Sequence, residues 1–177
     1  MALNYREIDF EAVEDCRLLA WWYNDPQIKH LYSLFPDEES ASVEFTPEYF
    51  ERIGKLPHNE APHQNLMVLA DDVPIGQAMF ETDTPKLLTK QPNTAWLALM
   101  IGEREYRECG LGKVIAQHLE GLAAVSGAQR IEIGVFEHNE RALRFFSDSG
   151  YGPFQRRKAR TWYNGRMWDE IRLLKSL

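Results

Sequence analysis

The residues from Arg107 to Lys113, Arg-Glu-Cys-Gly-Leu-Gly-Lys, put two glycines and two cations at the start of an apolar repeat. Leu111, Val114, Ile115, Leu119 and Leu122 recur at three- and four-residue intervals, which predicts a helix from Gly110 to Val125, ended by Gly127. A helix start presents unpaired N–H groups and a partial positive charge. Glycines at 110 and 112 remove side chains that would hold an anion away, and Arg107 and Lys113 can add full charge, so the turn suits a diphosphate. It is not a P-loop: Arg107 stands where the first glycine is required, and Val114 follows Lys113 where Ser or Thr should. Nor is it a dinucleotide fingerprint, because Ile115 occupies the third glycine position and no acidic ribose ligand is evident in a fitting unit.

The surrounding pattern predicts the elements that would hold this turn. Leu3 to Ile8 reads as a strand, and Asp9 as the cap of a helix from Phe10 to Tyr23 that stops before Pro26. A short helix over Gln27 to Tyr32 and a polar loop from Pro36 to Glu44 follow. Thr46-Pro47 then opens a helix to Ile53. Leu66 to Ala70 and Ile75 to Glu81 form a hairpin about the turn Asp71 to Pro74, and a polar connection from Thr82 to Asn93 leads to an apolar strand, Thr94 to Ile101, buried on both faces. Beyond the Gly110 helix, Ile131, Ile133 and Val135 alternate in a strand, and Asn139 to Ser149 is a helix closed by Gly150. Phe154 to Tyr163 and Arg166 to Leu174 are strands joined at Asn164-Gly165. The fold class is α/β: a single domain over residues 1–177, with a central mixed, mostly antiparallel sheet flanked by helices.

Bulk properties exclude several functions. With 44% hydrophobic and 27% charged residues, the chain folds rather than staying disordered. A net charge of −7 argues against gripping nucleic acid and tolerates a cationic substrate such as an amine. Cys16 and Cys109 form no CxxC pair and no metal-ligand pattern, so no metal is expected and both read as free thiols. There is no apolar leader and no run able to cross a bilayer, so the expectation is a cytoplasmic protein with no membrane partner, as monomer or homodimer.

The turn also fits, at every defining position, the R/Q-x-x-G-x-G/A signature of the GNAT superfamily of N-acetyltransferases. The chain resembles that superfamily a second time at Asn139, Ala142, Phe146, Gly150 and Tyr151. Ile101 to Tyr106 and Trp22 to Pro26 look like the branch that acetylates ribosomal-protein N-termini, and some aminoglycoside 6'-N-acetyltransferases share such features. The resemblance implies acetyl-CoA as co-substrate, transfer of its acetyl group to a primary amine in a ternary complex, and a splayed pair of strands receiving the pantetheine arm. The acceptor would be a small-molecule amine or a protein N-terminus. By position, the backbone of Met100 and Ile101 would meet the pantetheine, the backbone of Arg107, Glu108, Cys109, Gly110, Leu111, Gly112 and Lys113 would hold the diphosphate, Asn139 would touch the cofactor near its pantetheine arm, and Phe146 would pack beside the thioester.

Three departures stand out. Glu108 replaces the usual glycine, and its carboxylate must point to solvent. Cys109 replaces a basic or polar residue and reads as a surface thiol, with no base and orienter to make it a nucleophile. Phe146 replaces a tyrosine thought to protonate the departing thiolate. The alternative is therefore a catalytically silent acyl-CoA-binding regulatory domain. For the base, Glu81 is the acidic candidate, with a plain surface carboxylate as its other reading. His138 is expected to cap a helix, His118 to sit in the core, and Asp25 and His30 are candidates to contact an amine. Trp21, Trp22, Tyr23, Tyr32, Trp162 and Tyr163 would line the acceptor cleft or fill the core.

Overall fold

In the computed structural model, which describes residues 2–56 and 61–177, seven strands form one sheet in the order β1-β2-β3-β4-β5-β7-β6. The strands are β1 (Leu3–Glu7), β2 (His63–Ala70), β3 (Val73–Thr82), β4 (Thr94–Ile101), β5 (Arg130–Phe136), β6 (Gly152–Tyr163) and β7 (Arg166–Ser176). Every neighbouring pair is antiparallel except β4 and β5. The helices are α1 (Val13–Tyr23), α2 (Lys29–Tyr32), α3 (Glu38–Ser42), α4 (Pro47–Gly54), α5 (Leu111–Val125) and α6 (Glu140–Asp148).

Alternation along the strands sorts the side chains into two cores. Ala95, Leu97, Ile131, Ile133, Val135 and Leu173 pack with Leu111, Ile115 and Leu119 of α5, and Phe146 of α6 packs against them. On the other face Met67 and Met100 pack with Leu19 and Trp22 of α1 and Phe50 of α4. The expected hairpins are present. Asp71 and Asp72 both take positive φ in the first turn, as do Asn164 and Gly165 in the second, which matches strand twist.

Three expectations need correction. Helix α1 starts at Val13, not Phe10. The Asp9 carboxylate accepts the N–H groups of Glu11 and Ala12 at 2.9 and 3.3 Å, capping a turn ahead of the helix. Meanwhile Asp15 in the first helical turn is drawn to Arg6 by two bonds of 2.6 Å. The stretch Pro36 to Glu44 is not all loop: Asp37 and Ser40 cap one another's backbone and start α3. Serine in place of the usual Glu or Gln hides that capping box from the sequence. Finally, β4 is not buried throughout, since Ala98, Leu99 and Ile101 are half-buried. Among the described residues no helix is long and apolar enough to cross a membrane.

Candidate active site

The half-burial of β4 follows from its register. It pairs with β5 over Thr94–Arg130, Ala95–Ile131 and Trp96–Glu132 only. Above that level β4 continues along β3 to Ile101, and β5 continues along β7 to Phe136. The two strands therefore part, and each leaves a row of backbone groups facing the gap. Gly102 N–H bonds to Ile75 O at 2.8 Å, and the Met100 carbonyl points at Gly76, where a Cβ would overlap it. Alternation then turns the backbone groups of Leu99 and Ile101 to the gap. Of the expected pair, Ile101 faces the gap and Met100 faces β3. Leu99, which the sequence reading passed over, takes the place given to Met100. Only knowledge of which strand lies on which side could have assigned it.

Beyond β4 a short 3-10 turn, Arg104–Tyr106, and the residues 107–110 lead to α5. Glu108 and Gly110 both take positive φ, and Gly110 is the N-cap, with no side-chain capping bond. An added Cβ at Gly110 would meet nothing within 4 Å, and one at Gly112 would meet only Phe145, 3.9 Å away. Among the described residues nothing presses on either glycine, so the first N–H groups of α5 open onto free space. Lys113 is exposed one residue further on. These residues fit a diphosphate.

The Arg107 side chain does not serve as expected. Its Nε donates to Ile101 O at 3.0 Å, Nη1 to Gln27 Oε1 at 3.1 Å, and Nη2 to Asp25 Oδ2 at 2.8 Å and to Gly102 O. The guanidinium is thus spent inside the protein, clasping the end of β4 to the α1–α2 connection. Lys113 is left as the exposed cation of the motif, while the Arg107 backbone stays in the turn. The same clasp answers the expectation for Asp25, which also receives Arg104 at 3.0 Å. Burial works against its ionised form, but bonds from Arg104, the Gln27 N–H and Arg107 outweigh this and hold the carboxyl well below the usual range. Asp25 is a structural counter-ion rather than an amine contact.

The departures in the motif have visible neighbours. Glu108 is exposed and pairs with Arg141 of α6 at 2.5 Å, so its charge is offset beside the turn. Cys109 is an exposed free thiol. Asn139 caps α6, its Oδ1 accepting Ala142 N–H at 3.1 Å, which leaves its NH2 for a ligand. Phe146 meets Phe145 and Tyr151 edge-on, at ring-centroid distances of 4.8 and 5.2 Å. Tyr151 does not replace the missing hydroxyl. Its O–H donates to Glu120 at 2.9 Å, and burial followed by that carboxylate pushes its pKa far up.

On the α1–α4 face, aromatic rings gather past the end of β5. His30 of α2 stacks on Tyr163 at 3.9 Å, and His138 lies 4.7 Å from Tyr163 and 5.3 Å from Trp168. His138 is thus a wall of this cluster, not the expected cap; Asn139 is the cap. His118 stacks on Tyr5 at 3.8 Å, half-buried under β1. Of the expected cleft aromatics, Trp22 is core, Trp21 is 73% exposed, and Tyr23 is committed to Gln77 by a 3.1 Å bond. Tyr163 is the one that joins the histidines. Glu81 lies across from Trp96, at the last paired level, and binds Lys86 at 2.8 Å.

The histidines make an acid-sensitivity prediction. Burial and then the charge of His30 push His138 down to about 4, and burial also lowers His30 and His118. The unfolded chain takes these protons near pH 6.5, before the folded chain does. Their contribution to stability is therefore full above about pH 6.5, is lost as pH falls towards 4, and is flat below. The expected loss from His138 is roughly 2 kcal/mol after discounting solvent screening. Urea midpoints at pH 7.5, 5.5 and 4.5 check this, and His138→Phe should flatten the slope; equal midpoints in the parent protein would contradict it.

Several solved structures share the fold at low identity. An acetyltransferase of the GNAT family from Streptococcus pneumoniae superposes with a TM-score of 0.69 at 18% identity, covering 99% of this chain and 100% of the other. A GCN5-related N-acetyltransferase from Kribbella flavida gives 0.71 at 17%, covering 99% and 98%. A spermidine N-acetyltransferase SpeG chimera from Vibrio cholerae and hSSAT gives 0.72 at 15%, covering 99% and 96%. No curated protein matches the sequence. The family model described as Acetyltransferase (GNAT) family matches residues 15–151, a span that begins within α1 and holds the parted strands, the turn and α6, and the chain belongs to that family.

Proposed function

We propose that the protein transfers the acetyl group of acetyl-CoA to a primary amine by direct attack in a ternary complex. The observation that carries this is the parting of β4 from β5 above Trp96 and Glu132, with the open start of α5 at Gly110 following the end of β4 at Ile101. An extended thioester arm has backbone partners in that gap, and its diphosphate has N–H groups and Lys113 at the helix start. The roles given to Arg107 through Gly112, to Asn139 and to Phe146 are proposed on the same footing, with Arg107 acting through its backbone.

The chemistry balances simply. The amine nitrogen attacks the thioester carbonyl, the new C–N bond forms, the C–S bond breaks, and a proton from nitrogen ends on the departing sulfur. The developing oxyanion is met by a backbone N–H of the gap, at Leu99 or Ile101. Phe146 donates no proton, so sulfur is protonated through water or leaves as thiolate. The acceptor is a small-molecule primary amine, in keeping with the net charge of −7 and with the spermidine N-acetyltransferase that shares the fold. A protein N-terminus is the other amine of this class. Glu81 is the carboxylate the sequence offers for the amine proton.

One observation favours a second reading, a silent acyl-CoA-binding domain: Phe146 faces Tyr151, whose hydroxyl is spent on Glu120. Thiol release from acetyl-CoA, followed with a disulfide reagent across polyamines, amino acids, aminoglycosides and short peptides, separates the two. Amine-dependent release well above the hydrolytic background is expected. Tight acetyl-CoA binding with no turnover on any amine would leave the silent domain standing.

A further inference from the structure

The level of the sheet where β4 and β5 part carries a carboxylate that no motif singles out. On the α1–α4 face, Ala98 flanks the gap on β4, and Gly134 and Phe136 flank it on β5. Glu170 of β7 pairs with Phe136, and its side chain leans back over Gly134. A Cβ on Gly134 would overlap Glu170 Oε1 and come within 2.9 Å of Trp96 Cη2. Glycine at 134 is thus what lets this carboxylate lie against β5 beside the gap. Oε2 accepts a hydrogen bond from Arg157 Nη1 of β6 at 3.3 Å and lies 3.1 Å from Arg172 Nε of β7, an ion-pair contact. Arg172 in turn is fixed to Glu132 of β5 at 2.6 Å and lies over the Trp96 ring. Arg157 and Arg172 both meet Glu170 at Oε2. Glu132 is closed off by Arg172 and by the N–H groups of Leu88 and Thr89. Glu81, one level below the gap and two strands from β5, is tied to Lys86.

We infer that Glu170 Oε1 takes the proton from the acceptor amine, on the reading of the site as an amine acetyltransferase. The arriving ammonium hydrogen-bonds to Oε1 and gives it one proton, which passes on to solvent after the turnover. The freed lone pair attacks the thioester carbonyl. The nitrogen's second acidic proton goes to sulfur as the C–S bond breaks. Trp96 and Phe136 are the apolar surfaces against which the amine is held.

Steady-state kinetics of Glu170→Gln, with the best amine from the panel, test this. The expected kcat/KM for the amine falls 100- to 1000-fold at pH 7. The calorimetric Kd for acetyl-CoA stays within twofold, and the rate recovers as the pH approaches the amine's own pKa, where solvent supplies the neutral amine. A merely structural role would give no such recovery. Gly134→Ala, which displaces the carboxylate without changing it, should reproduce the pattern, and Glu170→Asp should fall between. These two variants carry the test if Glu170→Gln fails to fold. Unchanged kcat/KM, a loss uniform across pH, or high-pH recovery seen for Glu81→Gln instead would overturn the assignment. Absence of turnover in the parent protein on every amine would overturn the acetyltransferase reading beneath it.

Discussion

Acetyl-CoA affinity is expected to fall at least 100-fold, about 3 kcal/mol, when Gly110 and Gly112 are both replaced by tryptophan. Both glycines border empty space. At neither position does the protein itself require the absence of a side chain for packing, because an added Cβ meets nothing within 4 Å at 110 and only the edge of Phe145 at 112. Two indoles there would cover the first N–H groups of α5 and deny them to an anion. The left-handed φ of Gly110 adds a cost of about 1–2 kcal/mol to the fold, so circular dichroism and a thermal melt must accompany the titration. Gly110→Asn is the control, since asparagine tolerates that φ with a small side chain. Isothermal calorimetry reads the outcome. Unchanged affinity in a folded double variant would mean that the start of α5 is not the diphosphate site.

Glu132→Leu is expected to lower stability by about 3–5 kcal/mol, the cost of breaking a buried ion pair. Glu132 is wholly buried in mid-sheet. It accepts Arg172 Nη1 at 2.6 Å, the Leu88 N–H at 2.9 Å and the Thr89 N–H at 2.9 Å. Leucine would leave a guanidinium that is itself 3% exposed without its 2.6 Å partner, with only Glu170 at 3.1 Å as counter-ion, and release the connection between β3 and β4. For a chain of this length the melting temperature should drop by roughly 6–20 °C. Glu132→Leu with Arg172→Leu should recover part of the loss, because the apolar pair removes both buried charges and Arg157 remains as the counter-ion of Glu170. A double variant no better than the single one would mean that the bonds to Leu88 and Thr89, rather than the ion pair, carry the stability.

How far the sequence reached depended on the range of the interactions. The α5 repeat, the Thr46-Pro47 start of α4, the Asn164-Gly165 hairpin and the Gly110-Leu111-Gly112 turn were legible because each is set by neighbours a few residues apart. Helix α3 was missed although its signal is local, since a serine fills the place where a glutamate would announce the box. Arg107 shows the opposite case. Its place in the motif was legible, but its guanidinium is spent on Asp25 and Gln27, some eighty residues away. Charge in a motif reads as free charge until the fold supplies a partner.

The sequence by itself determined the family, the glycine-bounded start of α5, and a phenylalanine without a hydroxyl at 146. These are matters of residue type and short spacing. Only the tertiary structure decided which backbone groups face the gap, that Leu99 rather than Met100 turns there, and that Glu170 leans over Gly134 beside it. Those facts depend on a register in which β4 and β5 pair over three residues and then part, and on β7 lying next to β5. Strand order is set by burial summed over the whole sheet, and no spacing within one segment encodes it.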